Sequence, residues 1–133
     1  MNFKFVNQEH EAGFLQFRAE DMSDYYRTNK EYLSVVYIMT ANEELYRKIK
    51  PYFDGKSGEF DSEEMFKEKD FIGGYLVLAK LAVHLFNSNE TVEPIHIISR
   101  LDDESFKLAL NAFILRRYGV SKGYDLPDEK LYM

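Results

Sequence analysis

Residues 70–87 read DFIGGYLVLAKLAVHLFN, and the reading of this stretch decides the fold class. Its apolar side chains fall on nearly every side of a helix. A helix of that kind is buried by its neighbours and forms the centre of a domain. The longest apolar run, residues 71–86, is broken by Gly73, Gly74, Lys80 and His84, so it is too short and too interrupted to span a membrane. Each glycine inside a helix costs roughly 1 kcal/mol against alanine. Gly73-Gly74 therefore implies either close helix packing or a helix that starts late, after a loop.

Lys80 and His84 stand four residues apart, which places both on one helix face. A buried lysine is costly unless paired, so the two mark either an exposed stripe or a polar pocket. Gly73 and Asn87 continue the stripe at helical offsets, which favours exposure. If this face holds a ligand instead, Lys80 and His84 with Arg116 or Arg117 are the candidate ligand-binding residues, and their charge suits an anion.

Outward from the centre, residues 104–118 (ESFKLALNAFILRRY) form a second helix. Its expected core stripe is Phe106, Ala109, Leu110 and Phe113, with Asp102 and Asp103 at its start. Arg116 and Arg117 suit the negative end of its dipole, and Gly119 suits the position after it. Residues 30–41 (KEYLSVVYIMTA) carry Tyr32, Val35, Val36 and Met39 at i, i+3, i+4 and i+7, so a helix is read there with a strand as runner-up. Asn42 with Glu43-Glu44 opens a helix that Pro51 ends.

Asn7 caps a first helix running to about Ala19, and Phe3 to Val6 is strand-like or simply extended. Residues 20–29 are polar and leave the secondary structure open. Asp54-Gly55 and Ser57-Gly58 are turn signals, and Asp61 with Glu64 resembles a capping box. Pro94 suits the first turn of a short helix to Arg100. The expected fold is all-α: a compact orthogonal bundle of about five to seven helices around two buried central ones, residues 70–87 and 104–118. Nothing divides the chain, so residues 1–133 read as one domain, with 120–133 a tail that is flexible or docks through Leu131 and Tyr132.

Composition narrows the function. With no cysteine, the chain has no disulfide, thiolate metal site or cysteine nucleophile, which suits a reducing compartment. The start, MNFKFVNQEHE, lacks the basic, apolar and small-residue succession of a signal peptide, so a cytoplasmic location is expected. A net charge of −6 works against a general phosphate-backbone binder, and nucleic acid is not the expected partner. Eleven Phe and ten Tyr without a Trp point first to an aromatic-rich core and second to a self-association surface.

The motifs that carry chemistry are missing. FDGKSGEFDSEE has the flanks of a calcium loop, but aligning Gly58 with the obligatory glycine puts Phe53 and Gly55 where carboxylates are required. His10, His84 and His96 have no ligand partner at a recognised metal spacing. His10, in Glu9-His10-Glu11 near a helix start, is expected to be solvated. No phosphate loop and no recognisable catalytic triad is present, so neither a metal nor another cofactor is expected.

Phe5-Val6-Asn7-x-Glu9-His10, Tyr37-Ile38-x-x-x-x-Asn42-x-x-Leu45-Tyr46 and Leu108-Ala109-Leu110-Asn111-Ala112 resemble a family of small proteins of unknown function. That family occurs in Bacillus-type Firmicutes and their phages or prophages, and the likeness extends over residues 3–118. The resemblance implies a cytosolic accessory protein of the kind mobile elements carry, and supplies no catalytic residues. The leading expectation is a non-enzymatic module acting through protein–protein contacts, including a homodimer. The alternatives are an enzyme or small-ligand binder using Lys80 and His84, and a helical DNA-binding regulator. For the last, residues 104–118 make a poor recognition helix, being apolar almost throughout, with Arg116 and Arg117 at the C-terminal end.

Overall fold

A computed structural model describes residues 2–120. Among these, seven α-helices follow in order: α1 (Gln8–Glu20), α2 (Lys30–Met39), α3 (Glu43–Ile49), α4 (Ser62–Glu68), α5 (Gly74–Asn87), α6 (Pro94–Arg100) and α7 (Asp103–Tyr118). A 3-10 turn, Lys50–Tyr52, carries Pro51 beyond α3. Phe3 to Val6 is extended without strand pairing, and the all-α reading holds. The tail from residue 121 onward lies outside the described residues.

Local chemistry sets the helix starts. Asn7, Asn29, Asn42, Asp61 and Asp102 each accept a backbone N–H of the first turn on a side-chain oxygen. Those donors have no partner within the helix, so each cap removes an unsatisfied group. The capping box at α4 is half formed: Asp61 accepts from Glu64 N, while its own N–H donates to the Tyr52 carbonyl. Helix α5 starts late, as one reading of the double glycine required. Gly73, at φ +60, occupies its N-cap, and a left-handed Ser88 (φ 64) ends it.

The buried side chains of all seven helices join one hydrophobic core. Its centre is α2, on which every side chain from Leu33 to Met39 is buried, and α5 and α7 pack against it. The β-branched content that made a strand the runner-up does no harm here, because enclosure by neighbouring helices outweighs a weak intrinsic preference. Helix α5 is a second central element, burying Val77 to Ala79 and Leu81 to Val83.

Helix α7 departs from the expected burial. It buries Leu108, Ala109, Ala112 and Leu115, while Leu110 and Phe113 are exposed and Phe106 is half-buried. Two overlapping stripes fit the same segment. The one with two small alanines turns inward, since Ala109 and Ala112 let the backbone of α7 approach α2 closely.

Two groups of rings use much of the aromatic content. Phe3, Phe5, Phe14 and Tyr37 gather around His10. Tyr32, Phe53, Phe60 and Phe86 form the other, mostly in edge-to-face contacts, with the Tyr26 ring tilted against Tyr32 at 4.2 Å between centroids. The expected turn lies beneath this second group. Phe53 and Phe60 pair in an isolated antiparallel bridge, and Asp54 Oδ1 accepts from Lys56 N and Ser57 N. These two bonds hold the Asp54 carboxyl below its ordinary value. Among the described residues no helix is long and apolar enough to cross a membrane.

Candidate functional site

Of the four residues singled out from sequence, Lys80 alone lines a cleft of about 240 Å³ between α5 and α6. It is half-buried on α5. His84 is absent from that lining. Its Nδ1 lies 2.8 Å from the Glu90 carbonyl, which can only accept, so the ring donates and ties α5 to the following loop. Arg116 donates from Nε to the Leu85 carbonyl at 2.8 Å and lies 3.4 Å from the Glu31 carboxylate. It bridges the end of α7 to the end of α5 and the start of α2. Arg117 is exposed with its guanidinium 5.5 Å from the Tyr118 ring centroid, and its carbonyl accepts from Lys30 Nζ. Neither arginine lines the Lys80 cleft.

Lys80 is brought instead to His96 and Arg100, which the sequence reading did not assemble. These two stand i, i+4 on α6, and that spacing is visible in the sequence. What is not visible is that α6 lies across α5. The remaining walls are Leu76, Val77, Thr91, Val92 and Glu93. His96 Nε2 lies 3.3 Å from the Glu93 carboxylate, which engages the one acid of the cleft. Among the described residues neither the Lys80 ammonium nor the Arg100 guanidinium has a hydrogen-bond or ion-pair partner.

A second cleft, between α1 and the junction of α2 with α3, has the opposite charge. Glu9, Asp21 and Glu43 line it with Thr40 and Tyr46. Burial, then the nearby Asp21 charge, pushes the Tyr46 hydroxyl above its ordinary value. Among the described residues no three His, Cys, Asp or Glu side chains converge to hold a metal ion. The calcium-like loop uses Asp54 and Asp61 for its own turn and cap.

The expectation that His10 is solvated is corrected: it is 1% exposed. Asn7, not the flanking glutamates, sets its place by capping α1 through His10 N, and the ring turns inward between Phe5 and Tyr37.

A third feature is apolar. Ile95 (57% exposed) and Ile98 (62%) project from α6, and Leu110, Phe113 and Tyr118 from α7. They are five of the seven large apolar side chains left exposed among the described residues, the others being Tyr25 and Ile72. Scattered single exposures are ordinary on a soluble surface, whereas concentration on two consecutive helices is the pattern of a contact surface.

Comparison with known proteins gives one match. The model of a family of unknown function (DUF6075) matches residues 1–119. No curated protein and no solved structure matches the chain.

Proposed function

We propose that this chain, which belongs to the family of unknown function (DUF6075), is a non-enzymatic interaction module that engages a protein partner through the outer face of α6 and α7. The simplest partner is a second copy of itself. The observation that carries the reading is the placement of Ile95, Ile98, Leu110, Phe113 and Tyr118 on those two helices. Removing apolar surface from water contributes about 25 cal/mol per Å². Aromatic residues such as Phe113 and Tyr118 are enriched in interface cores. Lys107, paired with Asp103 at 3.1 Å, adds charge to the same helix beside Leu110.

The resemblance to small proteins of Bacillus-type Firmicutes and their phages supports an accessory role in the cytoplasm. A DNA-binding role draws less support, because Leu110, Phe113 and Tyr118 are exposed on α7 and its two arginines sit in the last turn.

Light scattering after size-exclusion chromatography tests the self-association arm. The expected result is a concentration-dependent dimer that the double variant Leu110→Glu, Phe113→Glu converts to monomer. Capture from the native host, with wild type and the same variant side by side, tests the hetero-partner arm. A strict monomer whose captured proteins are unchanged by the variant sinks the proposal.

A further inference from the structure

The cleft between α5 and α6 has a charge balance unlike the rest of this acidic chain. Lys80 is half-buried, and among the described residues its ammonium has no hydrogen-bond or ion-pair partner. Arg100, exposed in the last turn of α6, is likewise unpaired among the described residues, while Glu93, the one acid of the cleft, lies 3.3 Å from His96. Desolvating an unpaired cation is unfavourable, so the half-buried Lys80, with the exposed Arg100 lining the same cleft, gives a positive potential that an anion would complete. The Thr91 hydroxyl adds a donor, and Leu76, Val77 and Val92 make the rest of the lining apolar.

We propose that this cleft is a binding site for a small phosphate monoester, with Lys80 and Arg100 as its charge partners and Thr91 as a hydrogen-bond donor. Lys80 and Arg100 supply two positive charges toward the two negative charges of a phosphate monoester, with Glu93 turned to His96. Arginine recognises its oxygens through paired N–H donors, and lysine acts as a point charge. The small volume, about 240 Å³, fits a phosphate with a short apolar body against Leu76 and Val92. A nucleic-acid backbone is a poor fit, since it needs a basic track and the chain carries net charge −6. The site is distinct from the apolar face of the proposed interaction and stands or falls separately from it.

The test is a backbone-amide NMR titration of the full chain with inorganic phosphate and with phenyl phosphate, at ionic strength held constant with chloride. Butyrate serves as the monoanion comparison. Saturable shifts confined to residues 76–80 and 91–100 are expected, with a dissociation constant on the order of 1 mM or tighter for phenyl phosphate. Butyrate is expected to bind at least about tenfold more weakly, for want of a second charge. Lys80→Met keeps the apolar stem and Arg100→Gln keeps polarity, and each should weaken binding by about tenfold or more. Lys107→Met, which removes an exposed lysine outside the cleft, should bind as wild type. The spectra of the variants away from the cleft report that they fold. Shifts scattered over surface lysines, binding unchanged in the two cleft variants, or equal affinity for butyrate would each overturn the proposal.

Discussion

The ring of His10 bridges the extended N-terminal segment and the central helix by donating from Nε2 to the Tyr37 carbonyl at 2.7 Å. Its other nitrogen, Nδ1, accepts from Val6 N at 3.1 Å. A carbonyl can only accept and a backbone N–H can only donate, so the two partners select the neutral tautomer protonated on Nε2. Tyr37 completes the tie by donating its hydroxyl to the Lys4 carbonyl. One buried imidazole thus orients the start of the chain on the core.

That arrangement predicts acid sensitivity. Burial lowers the His10 pKa from 6.5 to about 4, partly opposed by the bond to the Tyr37 carbonyl. Between these values the unfolded chain binds a proton that the folded chain refuses, so stability falls as pH drops from 6.5 towards 4. The full difference is roughly 3 kcal/mol, from about 1.4 kcal/mol per unit. Urea denaturation at pH 7, 5.5 and 4.5 should show the loss. His10→Gln should be less stable at pH 7 and flatter across this window. An unchanged slope in the variant would assign the acid sensitivity to other groups. Asp54 and Asp102, whose pKa values are lowered by backbone bonds, lose their contribution only at lower pH, below the ordinary carboxylate value.

Substitution along α7 should separate its two faces. Leu115→Ala, at a fully buried position, is expected to cost about 2–5 kcal/mol of unfolding free energy. Leu110→Ala and Phe113→Ala, on the exposed face, should each cost less than about 1 kcal/mol. Chemical denaturation of the three variants checks the order. Equal losses at Leu110 and Leu115 would place the outer stripe in a buried environment instead.

Gly55 should not tolerate a side chain. A Cβ there would lie 2.5 Å from the Asp21 carbonyl oxygen and 3.0 Å from Met22 Cγ, so the backbone of one loop would have to move off the other. Gly55→Ala is expected to lower stability by about 1–3 kcal/mol, the usual range for overpacking. It should also weaken the bond from Ser23 N to the Gly55 carbonyl. Faster hydrogen exchange at Ser23 in the variant would report that local change.

The loop after α1 depends on a pair of arginines. Arg27 donates to the carbonyls of Arg18, Ala19 and Met22 and pairs with Asp24, while Arg18 Nε donates to the Arg27 carbonyl at 2.7 Å. Arg27→Ala removes donors from several carbonyls at once and should cost about 1–3 kcal/mol. Limited proteolysis should then cut within residues 21–29, where the wild type is expected to resist. Protection that survives the substitution would show that the ring contact of Tyr26 with Tyr32 holds the loop unaided.

Much of the architecture was legible in the sequence because it rests on local chemistry. Helix starts at Asn7, Asn42, Asp61 and Asp102, the end at Gly119 and the short helix at Pro94 all follow from capping and backbone restriction between near neighbours. The polar loop of residues 20–29 was not legible, since its order comes from arginines reaching carbonyls five to nine residues away. The stripe on α7 was ambiguous for a different reason. Helical periodicity allows two overlapping faces, and only the close approach of α2 selects the one with alanines.

The stretch at residues 70–87 shows where the boundary falls. By itself the chain determined that this segment is a central helix, because its composition leaves no polar face wide enough for solvent. What surrounds Lys80 and His84 was decided in three dimensions. Consecutive turns of one helix meet different neighbours: His84 meets the Glu90 carbonyl, while Lys80 meets α6 with His96 and Arg100. The burial of His10 was decided in the same way, by Tyr37 arriving from 27 residues along the chain. Contacts of that range depend on how helices cross, and crossing is set by packing of the whole core rather than by any local pattern.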